Sequence, residues 1–154
     1  LLAAERDGRL RPGGTVIEAS TGNTGIALAM IGRALGYGVR IVMPENVFPE
    51  IPRTLAVYGA AVEWVPAGQG VRRAIEVAQA AAAREGWLFL DQFCKPHNAQ
   101  AHYETTGAEI LEQTQGRVGA FVAGAGTGGT LSGVGRRLKA ALPHVKVVLA
   151  DPLG

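Results

Sequence analysis

The sequence contains a single cysteine, Cys94, in 154 residues. A lone thiol excludes an internal disulfide and leads us to expect a reducing, cytoplasmic setting. Charge is scarce too. Only 18% of the residues are Asp, Glu, Lys or Arg, and the formal net charge is +2. The basic residues are not massed: Arg72–Arg73 and Arg136–Arg137 are isolated pairs of the kind found on solvated helix faces, so no nucleic-acid partner is expected. No apolar run approaches the ~20 residues of a membrane-spanning helix. The opening stretch LLAAERDGRL lacks the basic flank and unbroken apolar run of a secretory signal. No membrane partner is expected. The chain starts at Leu1 rather than at a methionine and ends on ADPLG directly after an apolar run, so both ends read as cut from something longer.

What the chain does have is apolar content, 47% of its residues, enough for a folded core in one domain or in parts of two. Short β-branched or aromatic runs alternate with helical patterns. TVIEA, GVRIVMP, AVEWV, WLFLDQF, GAFVAG and VKVVLAD read as strands. NTGIALAMIGRALG reads as a helix, apolar nearly all round and therefore expected to be buried. EIPRTLAVYG, GVRRAIEVAQAAAAREG, NAQAHYETTGAEILEQT and GTLSGVGRRLKAAL are further helices, with Gly107 a weak point in the third. The strands are continuous apolar runs, as expected where helices cover both faces of a parallel sheet. The fold class is therefore α/β, doubly wound, with parallel sheets and helices on both faces. Trp64, Trp87, Phe89 and Phe121 fall in strands and are expected in the core. A domain boundary is expected near Lys95–Pro96–His97, separating residues 1–95 from residues 96–154.

In open α/β sheets ligands bind beyond the carboxyl ends of the strands, so the βα loops carry the functional signal. Two of them are rich in glycine and hydroxyls. In STGNTG, Ser20, Thr21 and Thr24 offer hydroxyls, Asn23 an amide, and Gly22 and Gly25 a close backbone approach. At a helix N-terminus such groups suit an anion, a carboxylate or a phosphate. An ordinary helix cap needs one hydroxyl, not four polar side chains. The second loop, GAGTGGT, spans Gly124 to Thr130 between a strand and a helix. Gly124, Gly126 and Gly129 form G-x-G-x-x-G, and Asp151 follows at the end of the next strand, close to a dinucleotide fingerprint. Thr127 and Thr130 point instead toward a terminal phosphate, whose oxygens two hydroxyls and several amides could saturate. The absence of a lysine from the loop excludes a Walker A motif. Cys94, His97 and His102 make an incomplete metal-ligand spacing without a fourth member, so no metal is expected. The sequence offers no obvious base to activate Cys94 as a nucleophile, and a small buried thiol is expected.

Together these stretches resemble the fold-type II pyridoxal-phosphate enzymes, and within them the cysteine synthase (O-acetylserine sulfhydrylase) and cystathionine β-synthase branch, whose fold is tryptophan-synthase-β-like. The resemblance is collinear through LRPGGTVIEASTGNTGIALA, GYGVRIVMPE, DQFCKPHNAQAHYETTGAEI and VAGAGTGGTLSGV. It implies a cofactor, pyridoxal 5'-phosphate, with Asn23 on its ring oxygen and Gly126, Thr127, Gly128, Gly129 and Thr130 around its phosphate. It implies that Ser20, Thr21, Gly22 and Thr24, with Gln92, bind the α-carboxylate of an amino-acid substrate. The implied reaction is β-replacement on an O-activated serine by sulfide or a thiol, carried out by a homodimer. Residues 1–95 would be the smaller, substrate-loop domain and 96–154 part of the larger, cofactor-phosphate domain.

The sequence departs from the family pattern in three places. Ser20–Thr21 inverts the usual order of the first two loop residues. FPEIPR keeps Glu50 but puts Phe48, Ile51 and Pro52 where the family has a serine and two arginines. The Schiff-base lysine would fall upstream of Leu1, and Lys95, Lys139 and Lys146 do not match its position, so no catalytic residue is assigned within this segment, which by itself is expected to be inactive. Two competing readings are an NAD-type dinucleotide domain resting on Gly124, Gly126, Gly129 and Asp151, and a non-catalytic truncated form.

Overall fold

The computed structural model describes residues 1–151, which form two units, Leu1–Asp91 and the chain from Gln92 onward. The first unit opens with α1 (Leu2–Arg6) and continues β1 (Thr15–Ala19), α2 (Asn23–Ala34), β2 (Gly38–Pro44), α3 (Glu50–Val57), β3 (Ala61–Val65), α4 (Gly70–Glu85) and β4 (Leu88–Phe89). Its strands make a parallel sheet in the order β3-β2-β1-β4. The pairing is in simple register, Val16 beside Val39 and Ile17 beside both Arg40 and Phe89.

Side chains alternate across this sheet, and each set meets its own helices. Ile17, Ala19, Val42 and Val65 are buried against Ala74, Ala78, Ala81 and Ala82 of α4. The small alanine side chains let α4 lie close to the strands. Val39, Ile41 and Met43 point the other way, toward Leu28 and Ala29 of α2 and Leu55 of α3. Each fully buried aliphatic side chain contributes about 1.5–3 kcal/mol relative to exposure, which makes these two clusters the main stabilising feature of the unit. Gly32 allows α2 to seat on β2, because a Cβ there would collide with the Val39 side chain. At the other end, the Tyr37 hydroxyl donates to the Glu5 carboxylate and ties α1 to the start of β2.

The second unit contains α5 (His97–Glu104), α6 (Thr106–Gln113), β5 (Ala120–Ala123), α7 (Gly129–Ala141) and β6 (Lys146–Leu149). β5 and β6 pair in parallel, Phe121 beside Val147. Val134 and Leu138 of α7 are buried with Val145, against Ile110, Leu111, Phe121 and Val147. On the opposite side of the strands Val122 and Val148 are exposed.

Several local expectations change. α2 is not buried all round: Leu28, Ala29 and Gly32 face the core, while Ala27, Met30, Ile31, Ala34 and Leu35 form an exposed stripe. The stripe lies away from the sheet, and one helix can bring only one side against it. The helix expected to weaken at Gly107 instead breaks at Thr105, whose backbone (φ −107°, ψ −83°) leaves the helical region. Gly107 is buried inside α6, where a Cβ would meet the Arg137 side chain. The WLFLDQF strand shrinks to Leu88–Phe89, as Asp91 turns to φ +54°. Cys94 is exposed rather than buried, since the turn it occupies lies outside either core. Trp64 is 46% exposed because β3 is an edge strand.

Two stability predictions follow from the first unit. Gly32→Ala should lower stability by roughly 1–3 kcal/mol, because the rigid Val39 side chain must yield; urea unfolding would measure the loss. The Glu5 hydrogen bond, then desolvation and the negative charge of Glu5, raise the Tyr37 pKa above its ordinary value of 10.0. The protonated phenol is thus favoured in the fold, so its stabilisation is complete below pH 10.0 and lost as pH rises through the raised value. Tyr37→Phe should therefore reduce stability at pH 7 and flatten the alkaline loss seen in the parent.

Candidate functional site

The polar loop of the first unit follows β1, a central strand of its sheet, and leads directly into α2. Its hydroxyls are not equivalent. Ser20 is buried, and its Oγ accepts the Gly25 amide at 3.0 Å and the Gly22 amide at 3.3 Å. This one side chain provides the local hydrogen bonding that starts the helix. Thr21 and Asn23 are exposed and Thr24 is half-buried, so these groups are available to a ligand at the mouth of the loop. Gly25 is buried against Ser20 and Ile41, where a side chain would press on both. Glu18, fully buried one residue before this pair of elements joins, was not singled out by sequence reasoning; its Oε1 accepts the Ala19 amide at 2.8 Å. The signal available was a carboxylate inside an otherwise apolar strand.

The second polar loop follows β5 and leads into α7. Gly128 adopts φ +78°, a left-handed conformation natural to glycine, and turns the chain into the helix. The first-turn amides of α7 have no carbonyl of their own helix within reach, and the helix dipole adds partial positive charge there. A pocket of about 200 Å³ opens at this point, with Gln92, Cys94, Lys95, Asn98, Thr127 and Gly129 among its lining. Gln92 thus lies beside the loop of its own unit, and Lys95 stands at the same pocket.

The threonines of this loop are held from α5. The Asn98 Nδ2 donates to Thr127 Oγ1 at 2.6 Å, and the Gly129 amide donates to the same oxygen at 3.3 Å. One turn along α5, the His102 Nε2 lies 3.1 Å from Thr130 Oγ1, while its Nδ1 lies 3.0 Å from Thr106 Oγ1. Asn98 and His102 were not among the sequence-derived binding residues; their i, i+4 spacing on a helix was the available signal. α5 comes this close because two glycines of α7 carry no side chain. A Cβ on Gly129 would land on the Asn98 carboxamide, and one on Gly133 on the Ala99 carbonyl. Two glycines of this segment therefore serve helix packing, which the sequence motif does not distinguish from ligand approach. The lone thiol and the histidines do not converge: among the described residues no group of three metal-ligating side chains occurs. Lys139 Nζ donates to the Pro143 carbonyl at 3.3 Å, and Lys146 is exposed at the start of β6.

The loop fits a phosphate monoester: the Thr127 hydroxyl lines the pocket with its oxygen already receiving hydrogen bonds, the Thr130 hydroxyl follows in the first turn of α7 facing a ring nitrogen, and no carboxylate occurs among the described lining residues. Gly133→Ala should separate α5 from α7 and destabilise the fold by roughly 1–3 kcal/mol, read as a lowered thermal midpoint. Ser132→Ala, on the exposed side of the same helix, should leave it within about 0.5 kcal/mol.

The comparisons with known proteins bear on both loops. The family model described as "Pyridoxal-phosphate dependent enzyme" matches residues 1–154. Cysteine synthase B of Salmonella typhimurium is 43% identical over 152 residues, covering 99% of this chain and 50% of its own length. Cysteine synthase of Staphylococcus aureus is 41% identical over 150 residues, 97% of this chain and 48% of its own. Among solved structures, O-ureido-L-serine synthase superposes with a TM-score of 0.94 at 41% identity, covering 98% of this chain and 48% of that one. Cysteine synthase of Entamoeba histolytica superposes with a TM-score of 0.88 at 35% identity, covering 98% and 45%. The chain thus spans about half the length of the relatives it matches. The nicotinamide reading of the G-x-G-x-x-G loop is set aside by this match, and the chain belongs to the pyridoxal-phosphate dependent enzyme family.

Proposed function

We propose that the full-length protein carrying this chain catalyses cysteine-synthase-like β-replacement, joining sulfide or a thiol to an O-activated serine with release of the activating group. The observation that carries the reading is the threonine-glycine loop at the start of α7, in which the oxygens of Thr127 and Thr130 each face a group on α5. The likeness to cysteine synthases at 41–43% identity supports the choice of reaction within the family.

In this reading Gly126, Thr127, Gly128, Gly129 and Thr130 hold the phosphate of pyridoxal phosphate through amides, hydroxyls and the N-terminal dipole of α7. Asn23 would contact the ring 3'-oxygen. Thr21, Gly22 and Thr24, with Gln92, take the substrate α-carboxylate; Ser20 contributes by shaping their loop, since its oxygen already accepts two amides. When bound, the cofactor supplies the electron sink that lets the Cα proton and then the β-substituent leave. The first unit, Leu1–Asp91, acts as the smaller, substrate-loop domain and the chain from Gln92 onward as part of the larger cofactor domain. A cytoplasmic homodimer with a small-molecule amino-acid substrate completes the proposal, and the lone Cys94 supports the compartment.

Full-length protein given pyridoxal phosphate should develop a visible absorption band, and should form cysteine from O-acetyl-L-serine and sulfide. Thr127→Val should weaken cofactor binding roughly tenfold, the scale of a hydrogen bond to a charged group. Thr21→Ala should instead raise KM for the amino acid with cofactor affinity unchanged. A protein that binds nicotinamide nucleotide and leaves pyridoxal phosphate in solution would refute the reading.

A further inference from the structure

A hydroxyl has one proton and two lone pairs, so what it offers a ligand depends on what its other neighbours take. A phosphate bearing negative charge needs hydrogen-bond donors. A threonine whose proton is already given to a neighbour presents lone pairs to that phosphate, and the contact is repulsive. The α5 face toward the loop bears directly on this choice.

At Thr127 the accounting is closed. Its oxygen receives hydrogens from Asn98 Nδ2 at 2.6 Å and from the Gly129 amide at 3.3 Å. Both lone pairs are occupied, and the hydroxyl proton is what remains to be offered outward. At Thr130 the outcome turns on the tautomer of His102. With the proton on Nδ1, the bare Nε2 would take the Thr130 proton, and Thr130 would face the ligand as an acceptor. With the proton on Nε2, the ring donates to Thr130 Oγ1 and frees its hydroxyl to donate onward. Nδ1 is then an acceptor, and the Thr106 hydroxyl at 3.0 Å is placed to donate to it. Thr106 begins α6 immediately after the break at Thr105, which brings its hydroxyl to the ring.

We propose that Asn98 and His102, one turn apart on α5, are positioning residues that fill the acceptor sites of Thr127 and Thr130, so that both hydroxyls donate to the phosphate of the cofactor, with His102 in the Nε2–H form. The polarity runs in one direction, from the Thr106 hydroxyl to His102 Nδ1, from Nε2 to Thr130, and from Thr130 to the anion. The inference rests on the phosphate reading of this loop. It adds that the loop's donor character is imposed by a neighbouring helix, and that phosphate binding selects one histidine tautomer.

The experiment uses the full-length protein and compares its affinity for pyridoxal phosphate with that for pyridoxal, which lacks the phosphate. Asn98→Asp is nearly isosteric but accepts where the amide donates, and it should reduce the preference for pyridoxal phosphate by roughly tenfold or more. His102→Leu should reduce it by roughly tenfold. In both variants pyridoxal affinity should stay within about twofold of the parent, because pyridoxal has no phosphate to lose a contact with; a merely structural loss would lower both ligands together and would overturn the proposal. Nitrogen-15 NMR of histidine-labelled protein with pyridoxal phosphate bound should place a proton on Nε2 of His102. A bare Nε2 would overturn the proposal while leaving the phosphate reading intact, as would unchanged preference in both variants. A parent protein that binds the two ligands equally would remove the phosphate reading and this inference together.

Discussion

The approach of α5 to α7 organises the second unit. At Gly133 the two helices are separated by backbone alone, since a Cβ would strike the Ala99 carbonyl, and at Gly129 the Asn98 carboxamide takes the space a side chain would need. Every hydrogen bond from α5 to the polar loop depends on that distance. A wider spacing would leave Asn98 and His102 short of Thr127 and Thr130 and would open α7 away from its partners. Glycine therefore does two jobs in one short segment. Gly128 supplies a left-handed turn, and Gly129 and Gly133 supply proximity.

The first unit solves a similar problem with a sheet. Parallel pairing sends every strand's carboxyl end to the same edge, and the covering helices must then begin there. β1 lies between β2 and β4, so the loop after Ala19 leaves from the interior of the sheet rather than from its rim. Ser20 is buried at that exit and spends its oxygen on the amides of Gly22 and Gly25. Thr21 and Asn23 are exposed and Thr24 is half-buried. The division of labour within six residues is a consequence of depth: the hydroxyl nearest the sheet is desolvated and must be satisfied locally, and those farther out are not.

Much of this was legible in the chain itself. The alternation of apolar runs with helical patterns identified the parallel α/β class, because strands buried on both faces lose the period-two signal. The two glycine- and hydroxyl-rich loops stood out because a helix cap needs less than they contain. Other features were not legible. The exposed stripe of Ala27, Met30, Ile31, Ala34 and Leu35 reads as core by composition, and only the position of β2 shows which side of α2 is covered. Cys94 and Trp64 were expected inside on residue type, and an outlying turn and an edge strand place them outside. The break at Thr105 carries no proline or glycine to announce it.

Residue order alone, then, determined the class of the fold, the two loops rich in glycine and hydroxyls and the family to which the chain belongs, because periodicity, turn chemistry and local motifs are properties of neighbours along the chain. Which hydroxyl is spent inside its loop, which glycines exist for packing, and which side chains of α5 meet Thr127 and Thr130 were decided by the tertiary structure. Those are questions of distance between segments far apart in sequence, such as Asn98 and Thr127 or His102 and Thr130, and hydrogen bonds and steric exclusion act over a few ångströms of space whatever the separation along the chain.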